Sequence, residues 1–247
     1  MNKLFLALVF AFTISFFSSL SAVAQNDEEG KELISEKPDS SIAKFGANRR
    51  HYLQYVALIG LYVDQAEGNI DVRTGFDFQY KFLYKRKLTK VLAIGTGLCY
   101  HYQNFVLNQN DNVTYFEQYF WNNQNVNHRK ERFYQHNIQS EIFLRINFDP
   151  KRGNTLGKYI DIAGYGEYRL GSRYQVYDNI ANGLREKRTF SKLNITNPFN
   201  YGISARVAVF DFLLVGVSYR YSDLFKSNST VPEMPRTLAQ IYLNINN

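Results

Sequence analysis

The chain has 247 residues, a formal net charge of +7, 20 phenylalanines, 19 tyrosines and a single cysteine, Cys99. One cysteine excludes an internal disulfide framework. The basic residues are scattered rather than gathered into one stripe, which does not favour nucleic acid as a partner.

The first 24 residues have the layout of an export signal. Lys3 is followed by an apolar stretch over residues 4–17, and Ala22, Val23 and Ala24 precede Gln25. We expect cleavage before Gln25; an uncleaved helical anchor is the alternative, because the apolar character continues nearly to Ala24. We further expect residues 25–50 to be a flexible periplasmic segment and residues 51–247 to form one folded domain.

The clearest structural pattern covers residues 72–82. One parity carries apolar side chains such as Phe76 and Phe78, and the other carries polar ones such as Asp77 and Lys81, so an extended strand has two unlike faces. Similar alternation predicts eight strands, over residues 52–63, 70–84, 90–107, 132–148, 158–176, 200–210, 212–225 and 236–245. All five prolines lie outside these segments, as a barrel without edge strands requires.

Two-faced strands that follow an export signal predict an all-β fold. We expect an eight-stranded antiparallel up-and-down transmembrane β-barrel, with lipid outside and a polar interior, in the outer membrane of a Gram-negative bacterium. The links at residues 85–89, 149–157 and 211 are short, whereas those at 108–131, 177–196 and 226–235 are longer. Because outer-membrane barrels have short periplasmic turns and long external loops, both termini are predicted to be periplasmic.

The inward parity contains charges of both signs, which predicts an ion-pair network filling the barrel. Its candidate members are Arg73, Asp77, Lys81, Glu141, Arg145, Asp161, Glu167, Arg169, Arg206 and Arg220. A catalytic pair of carboxylates is an alternative role for some of them. A secreted lipocalin-like binding protein is the alternative fold, since such barrels also alternate but turn their apolar side inward.

No catalytic motif is legible in the sequence. His101 and His136 have opposite parity, which argues against a shared metal site, and neither a His-x-Ser arrangement nor a nucleophile-elbow motif occurs. We therefore expect no enzyme, no cofactor and no metal. A lipid-modifying enzyme and a narrow channel remain alternatives, although side chains fill the interior of an eight-stranded barrel.

The longest predicted loop is rich in aromatic residues among asparagine and glutamine. Such a mixture suits contact with sugars or with another protein surface; equally, the aromatics would extend the strands and pair with one another. The candidate surface-binding residues are Tyr115, Phe116, Tyr119, Phe120 and Trp121. The expected function is thus a role in envelope structure, adhesion or secretion support. The expected partners are the lipid bilayer, lipopolysaccharide and an envelope or surface protein or glycan.

The export signal, the length and the eight-segment pattern resemble the small outer-membrane β-barrel proteins of Bacteroidota. These include PorT-like proteins and are similar in architecture to OmpX and the OmpA barrel. The resemblance covers residues 52–247 and is one of pattern, without a diagnostic motif. The chain departs from the common pattern because it ends in Ile245, Asn246 and Asn247 instead of a terminal aromatic. Resemblance to PorT-like proteins implies an accessory role in protein secretion.

Overall fold

A computed structural model describes residues 45–66, 72–107, 130–179, 185–191, 193–227, 229 and 231–245. They lie in one compact unit, Ala43–Asn247. The described residues form nine strands: β1 (His51–Tyr62), β2 (Val72–Lys87), β3 (Leu92–Leu107), β4 (Lys130–Asn147), β5 (Tyr159–Asn179), β6 (Arg185–Ser191), β7 (Phe199–Ala208), β8 (Leu213–Arg220) and β9 (Thr237–Asn244). Across these ranges, no helix is long and apolar enough to cross a membrane.

Eight of the strands close into an antiparallel ring. The order is β1, β2, β3, β4, β5, β7, β8 and β9, and β9 pairs back onto β1 through contacts such as Ile59 with Ile241. The predicted eight-stranded barrel is confirmed. Pro150, Pro198, Pro232 and Pro235 all lie outside the strands, so each ladder keeps its backbone donors.

The ninth strand, β6, lies outside the ring in a region that was predicted to be loop. The first half of β5 pairs with β7, whereas its last residues, from Arg173 to Asn179, pair with β6. Tyr174 stacks on Phe190 across this hairpin at a ring-centroid distance of 5.8 Å. Sequence reasoning missed β6 because the strand has only 7 residues and begins with a run of charged ones.

A bulge divides β5 into two parts. In the register with β4, Asn137 faces Arg169 while the neighbouring His136 faces Gly171, so Leu170 is an extra residue. Below the bulge the inward residues of β5 are odd-numbered, such as Asp161, and above it they are even-numbered, such as Tyr174. The bulge therefore changes which parity of β5 faces inward.

The distribution of side chains is the reverse of that in a soluble protein. Large apolar side chains point outward, with Leu98, Ile142 and Ile241 each more than half exposed, while Lys81 and Arg206 inside are almost fully buried. A lipocalin-like barrel requires the opposite arrangement. An apolar exterior around a closed ladder is the form in which strands satisfy their backbone groups in hydrocarbon.

The two ends of the barrel differ. The short-turn end carries turns 88–91, 148–158 and 209–212, and the long-loop end carries the other connections. The wall is uneven, because β4 and β5 have 18 and 21 residues whereas β8 and β9 have 8 each. About 9–11 residues cross a bilayer, so the wall around β3 to β6 projects beyond the rest at the long-loop end.

Residues 45–50 cross the short-turn end as an ordered strap. The Lys85 ammonium donates to the Ala47 carbonyl at 2.6 Å, and Lys87 donates to Asn48 Oδ1 at 2.9 Å. Gly46 has a φ of 147°, and a Cβ there would lie 2.5 Å from Asn154 Oδ1. This part of the segment expected to be flexible is thus fixed to the barrel, because buried lysine ammonium groups need acceptors.

An arginine on the outer wall tests the membrane-facing surface. Replacing Ile142 with arginine should destabilise the barrel in lipid vesicles by about 2–4 kcal/mol, because the charge enters hydrocarbon. The matched control is Phe210→Arg, in turn 209–212, where about 0–1 kcal/mol is expected near the interface. The measurement is denaturant unfolding in vesicles; equal, small effects of both variants would contradict a lipid-facing wall.

Candidate functional site in the barrel interior

A chain of four ion pairs joins four strands inside the barrel. Lys81 Nζ lies 2.8 Å from Glu141 Oε2, and Arg206 Nη1 lies 2.6 Å from Glu141 Oε1. Arg206 Nε then lies 2.8 Å from Asp161 Oδ2, and Arg145 Nε lies 2.7 Å from Asp161 Oδ1. Each carboxylate bridges two cations, so these pairs form one connected cluster, the basal cluster.

Aromatic rings pack against the guanidinium groups of the basal cluster. The Arg145 guanidinium lies 3.6 Å from the centroid of the Tyr159 ring, and that of Arg206 lies 4.9 Å from the Phe143 ring. A Cβ at Gly95 would lie 2.2 Å from Phe143 Cζ, so only glycine leaves room for this ring. Stacking on ring faces replaces part of the hydration that the buried cations lose.

A second cluster, the histidine cluster, lies nearer to the long-loop end. His101 is held between two carboxylates: its Nε2 contacts Asp77 Oδ2, and its Nδ1 lies 2.7 Å from Glu167 Oε2. A carboxylate accepts hydrogen bonds and donates none when ionised. Two such contacts therefore need a proton on each ring nitrogen, which makes His101 an imidazolium.

The charge count of the interior supports the same protonation state. In the basal and histidine clusters the cations are Lys81, Arg145 and Arg206, and the carboxylates are Asp77, Glu141, Asp161 and Glu167. Three cations face four carboxylates in these two clusters, and a charged His101 makes the numbers equal. Balance matters here because an unpaired charge in a sealed, low-dielectric interior costs several kcal/mol.

The long-loop end is closed by chain that folds inward. Arg220 Nη1 lies 2.8 Å from Glu233 Oε1, and the Glu233 carboxylate also accepts the backbone N–H of Leu224 at 2.8 Å. These contacts draw the connection between β8 and β9 into the opening. An apolar cap forms there from Phe105, Leu107, Phe133, Tyr174, Val176, Leu193, Leu224, Phe225, Val231 and Met234.

The short-turn end is closed in a similar way. Leu156 of turn 148–158 and Ala47 of the strap pack against buried strand residues that include Val56 and Tyr242. A cavity between Lys81 of the basal cluster and His101 of the histidine cluster has a volume of about 10 Å³. That space is about enough for one water molecule. This cavity is too small to hold a substrate.

The ten predicted interior residues do not all come together. The basal cluster holds Lys81, Glu141, Arg145, Asp161 and Arg206, and the histidine cluster holds Asp77 and Glu167. Arg220 pairs with Glu233 instead, and Arg169 donates to the Thr196 carbonyl at 2.6 Å, away from any interior carboxylate. The Arg73 side chain and the five loop aromatics at 115, 116, 119, 120 and 121 lie outside the described residues.

Sequence reasoning missed three participants. His101 shares the inward parity of β3 with Cys99 and Gln103, so its alternation could have placed it inside. Glu233 comes from a connection and has no alternation signal, whereas Lys85 continues the inward parity of Asp77 and Lys81 one residue beyond the predicted end of its strand. His136 lies on the outer face, where its Nδ1 is 2.6 Å from the Tyr100 hydroxyl. Within the described ranges no group of three or more His, Cys, Asp and Glu side chains is arranged to hold a metal ion.

The closed antiparallel ring, the apolar exterior and the paired interior charges define an outer-membrane type of β-barrel.

No family model and no curated protein matches the sequence. Among solved structures, the chain is similar to the attachment invasion locus protein Ail of Yersinia pestis in complex with the heparin analogue sucrose octasulfate, at 9% identity and a TM-score of 0.36. That match covers 78% of this chain and 95% of the Ail chain. Ail alone matches over the same shares of both chains, at 9% identity and a TM-score of 0.32. A triple mutant of Rhodopseudomonas blastica porin covers 79% of this chain and 100% of its own, at 10% identity and a TM-score of 0.19. Such low identities and TM-scores do not show a shared family or function.

Removing the central cation of the basal cluster should destabilise the barrel strongly. Arg206→Leu leaves Glu141 and Asp161 each without one of their two cations, and we expect a loss of about 3–5 kcal/mol in the free energy of unfolding. The control is Arg236→Leu, which breaks an exposed 2.8 Å pair with Asp223 and should cost less than about 1 kcal/mol. Equal costs for the two variants would show that the interior pairs are not critical.

The protonation of His101 can be observed directly. In ¹⁵N NMR spectra of the histidine-labelled barrel at pH 7, both ring nitrogens of His101 should carry a proton, because each faces a carboxylate oxygen. His136 serves as the internal control, since its Nδ1 lies beside the Tyr100 hydroxyl, which can itself donate, and not beside a carboxylate. A neutral imidazole at position 101 would contradict the charge count.

Proposed function

We propose that this protein is a non-enzymatic outer-membrane β-barrel that acts at the cell surface through its long-loop end, in envelope structure, adhesion or secretion support. The proposal rests on the shape of the barrel. The described residues fill the interior and close it at both ends, and the wall around β3 to β6 projects beyond the other strands at the long-loop end. In such a barrel, the side chains that a ligand can reach lie on the outer surface and in the loops. The membrane, lipopolysaccharide and a surface protein or glycan are the proposed partners.

The sealed interior argues against the two alternatives. A channel needs a continuous polar path, but apolar clusters occupy both ends and ion pairs occupy the middle. A lipid-modifying enzyme needs a nucleophile or base that lipid can reach, whereas Glu141, Asp161 and Glu167 are buried and each lies against a cationic partner. Among the described residues, no carboxylate of the interior is free to act as a base.

The orientation of the barrel in the membrane is inferred from the usual arrangement of turns and loops in outer-membrane barrels. Short turns face the periplasm and long loops face outward. The start of β1 and the end of β9 both lie at the short-turn end, which would place both termini in the periplasm. The export signal at residues 1–24 supplies the route to this compartment.

The projecting wall supplies a surface for recognition. Its outer face carries aromatic and basic side chains together: the Arg132 guanidinium lies 5.8 Å from the Tyr177 ring, and the Lys187 ammonium lies 5.6 Å from the same ring. Cations beside aromatic faces suit lipopolysaccharide phosphates and sugars. Within the described residues β6 pairs only with β5, so its other edge is a place where a strand of a surface protein would add.

The aromatic residues of the loop predicted at 108–131 test the recognition role. The triple variant Phe116→Ser, Tyr119→Ser and Trp121→Ser should lose at least about tenfold in binding to a glycan microarray, because each stacking ring contributes about 1 kcal/mol. The barrel itself should stay folded, as judged by a heat-dependent gel shift.

The matched control for this loop is Asn110→Ser, Gln118→Ser and Asn122→Ser, which removes three amides from the same segment and keeps every ring. It should retain binding. If the aromatic variant fails to fold, the rings belong to the barrel wall and the recognition role is wrong; if the wild type binds no glycan, the remaining proposed partners are proteins and lipopolysaccharide.

A further inference from the structure

A groove at the short-turn end concentrates positive charge. It has a volume of about 580 Å³ and is lined by Arg50, Arg86, Lys87, Leu88, Thr89 and Lys90. Four of the six lining residues are cationic and none is acidic. Neither Arg86 nor Lys90 forms an ion pair with another described residue, so the groove keeps its positive potential.

The turn that bears this groove is ordered. The Thr89 hydroxyl accepts the backbone N–H groups of Val91, at 3.2 Å, and Leu92, at 2.9 Å. The Lys87 ammonium is held by Asn48 of the strap. Lys90 therefore projects from a fixed turn, and a ligand would not have to order a mobile loop.

The groove lies directly below the apolar wall. Arg86 is paired in register with Ile94 of β3, and its neighbour Tyr84 is paired with Leu53 of β1. Leu53, Phe82 and Ile94 point outward and are each about 40% exposed. Cations immediately beside a lipid-facing wall stand at the level of the phosphates of a bilayer, with space for acyl chains above them.

The opposite side of the same rim has a different charge. A second groove of about 430 Å³ is lined by Asp149, Thr155, Gly157, Lys158, Val209, Phe210, Asp211 and Phe212. Two carboxylates face one lysine there, so an anionic headgroup gains nothing at this position. The rim thus has a basic sector at β1 to β3 and a sector of mixed charge at turns 148–158 and 209–212, where Lys151, Arg152 and Lys158 lie among Asp149 and Asp211.

We propose that the basic sector is a binding site for the headgroup of an anionic phospholipid in the leaflet at the short-turn end, with Arg86 and Lys90 contacting the phosphate and Leu53, Phe82 and Ile94 contacting the acyl chains. The inference rests on the membrane placement proposed above. A lipid held there would cover exposed apolar turn residues such as Leu88 and neutralise Arg86 and Lys90. The site would give the barrel a preferred lipid neighbour on one side of its circumference.

Native mass spectrometry of the full chain, released from detergent micelles, tests the site with phosphatidylglycerol and phosphatidylcholine of identical acyl chains. The wild type should retain phosphatidylglycerol about tenfold better than phosphatidylcholine. The double variant Arg86→Gln and Lys90→Gln should lose this preference. The single variant Lys90→Gln, on the exposed turn, should lose about threefold and leaves every strand residue unchanged.

The matched control is Lys151→Gln and Lys158→Gln, which removes two exposed cations from the other sector of the same rim. It should retain the preference for phosphatidylglycerol. An equal loss in this control would overturn the site and show general attraction of anionic lipid only. No preference in the wild type would overturn the site as well, because anionic lipid would then not be attracted at all.

A second arm separates the site from the membrane placement. Refolding into phosphatidylcholine vesicles, followed by the heat-dependent gel shift, reports insertion without anionic lipid. Insertion together with equal retention of the two lipids overturns the headgroup site alone. Failure to insert into vesicles of either lipid overturns both the site and the membrane placement.

Discussion

The structure depends on pairing charges inside a cylinder that water does not reach freely. Glu141 and Asp161 each bridge two cations, and His101 bridges two carboxylates. The paired residues come from five strands, β2, β3, β4, β5 and β7, and the pairs join residues that are 16 to 66 positions apart in the chain. A partly closed sheet would leave several of these charges without partners, so the interior favours closure of the whole ring as one cooperative step.

Enclosure at the two ends strengthens this pairing. The apolar cap around Phe225 and Met234 and the strap across the short-turn end keep bulk water from competing for the ion pairs. A low effective dielectric constant makes each ion pair stronger, and it also raises the free-energy cost of any buried charge that is left without a partner. The filled interior and the recognition surface are consequently separate parts of the molecule. Interior residues stabilise the barrel, and residues of the recognition surface can change without breaking the interior ion pairs.

Much of the barrel could be predicted from the sequence because a strand has a period of two. Asp77 and Lys81 alternate with Phe76 and Phe78, and this pattern predicts that the charged side chains face the interior. Arg169 and Arg220 show where that rule ends. Arg169 lies beside the bulge at Leu170, and Arg220 pairs with Glu233, which belongs to the connection between β8 and β9. Neither the bulge nor the position of Glu233 can be predicted from a period of two. The partner of each interior charge depends on register across strands, which alternation in one strand does not specify.

The single extra residue at Leu170 separates two regions of β5 that obey different constraints. Below it, the strand must keep Asp161 and Glu167 aimed at their interior partners; above it, the same strand presents Tyr174 inward and supports the hairpin with β6. Insertions of two residues above the bulge would lengthen the projecting hairpin without reversing any face below. The outer part of the wall can thus diversify in height during evolution while the membrane-embedded part stays unchanged.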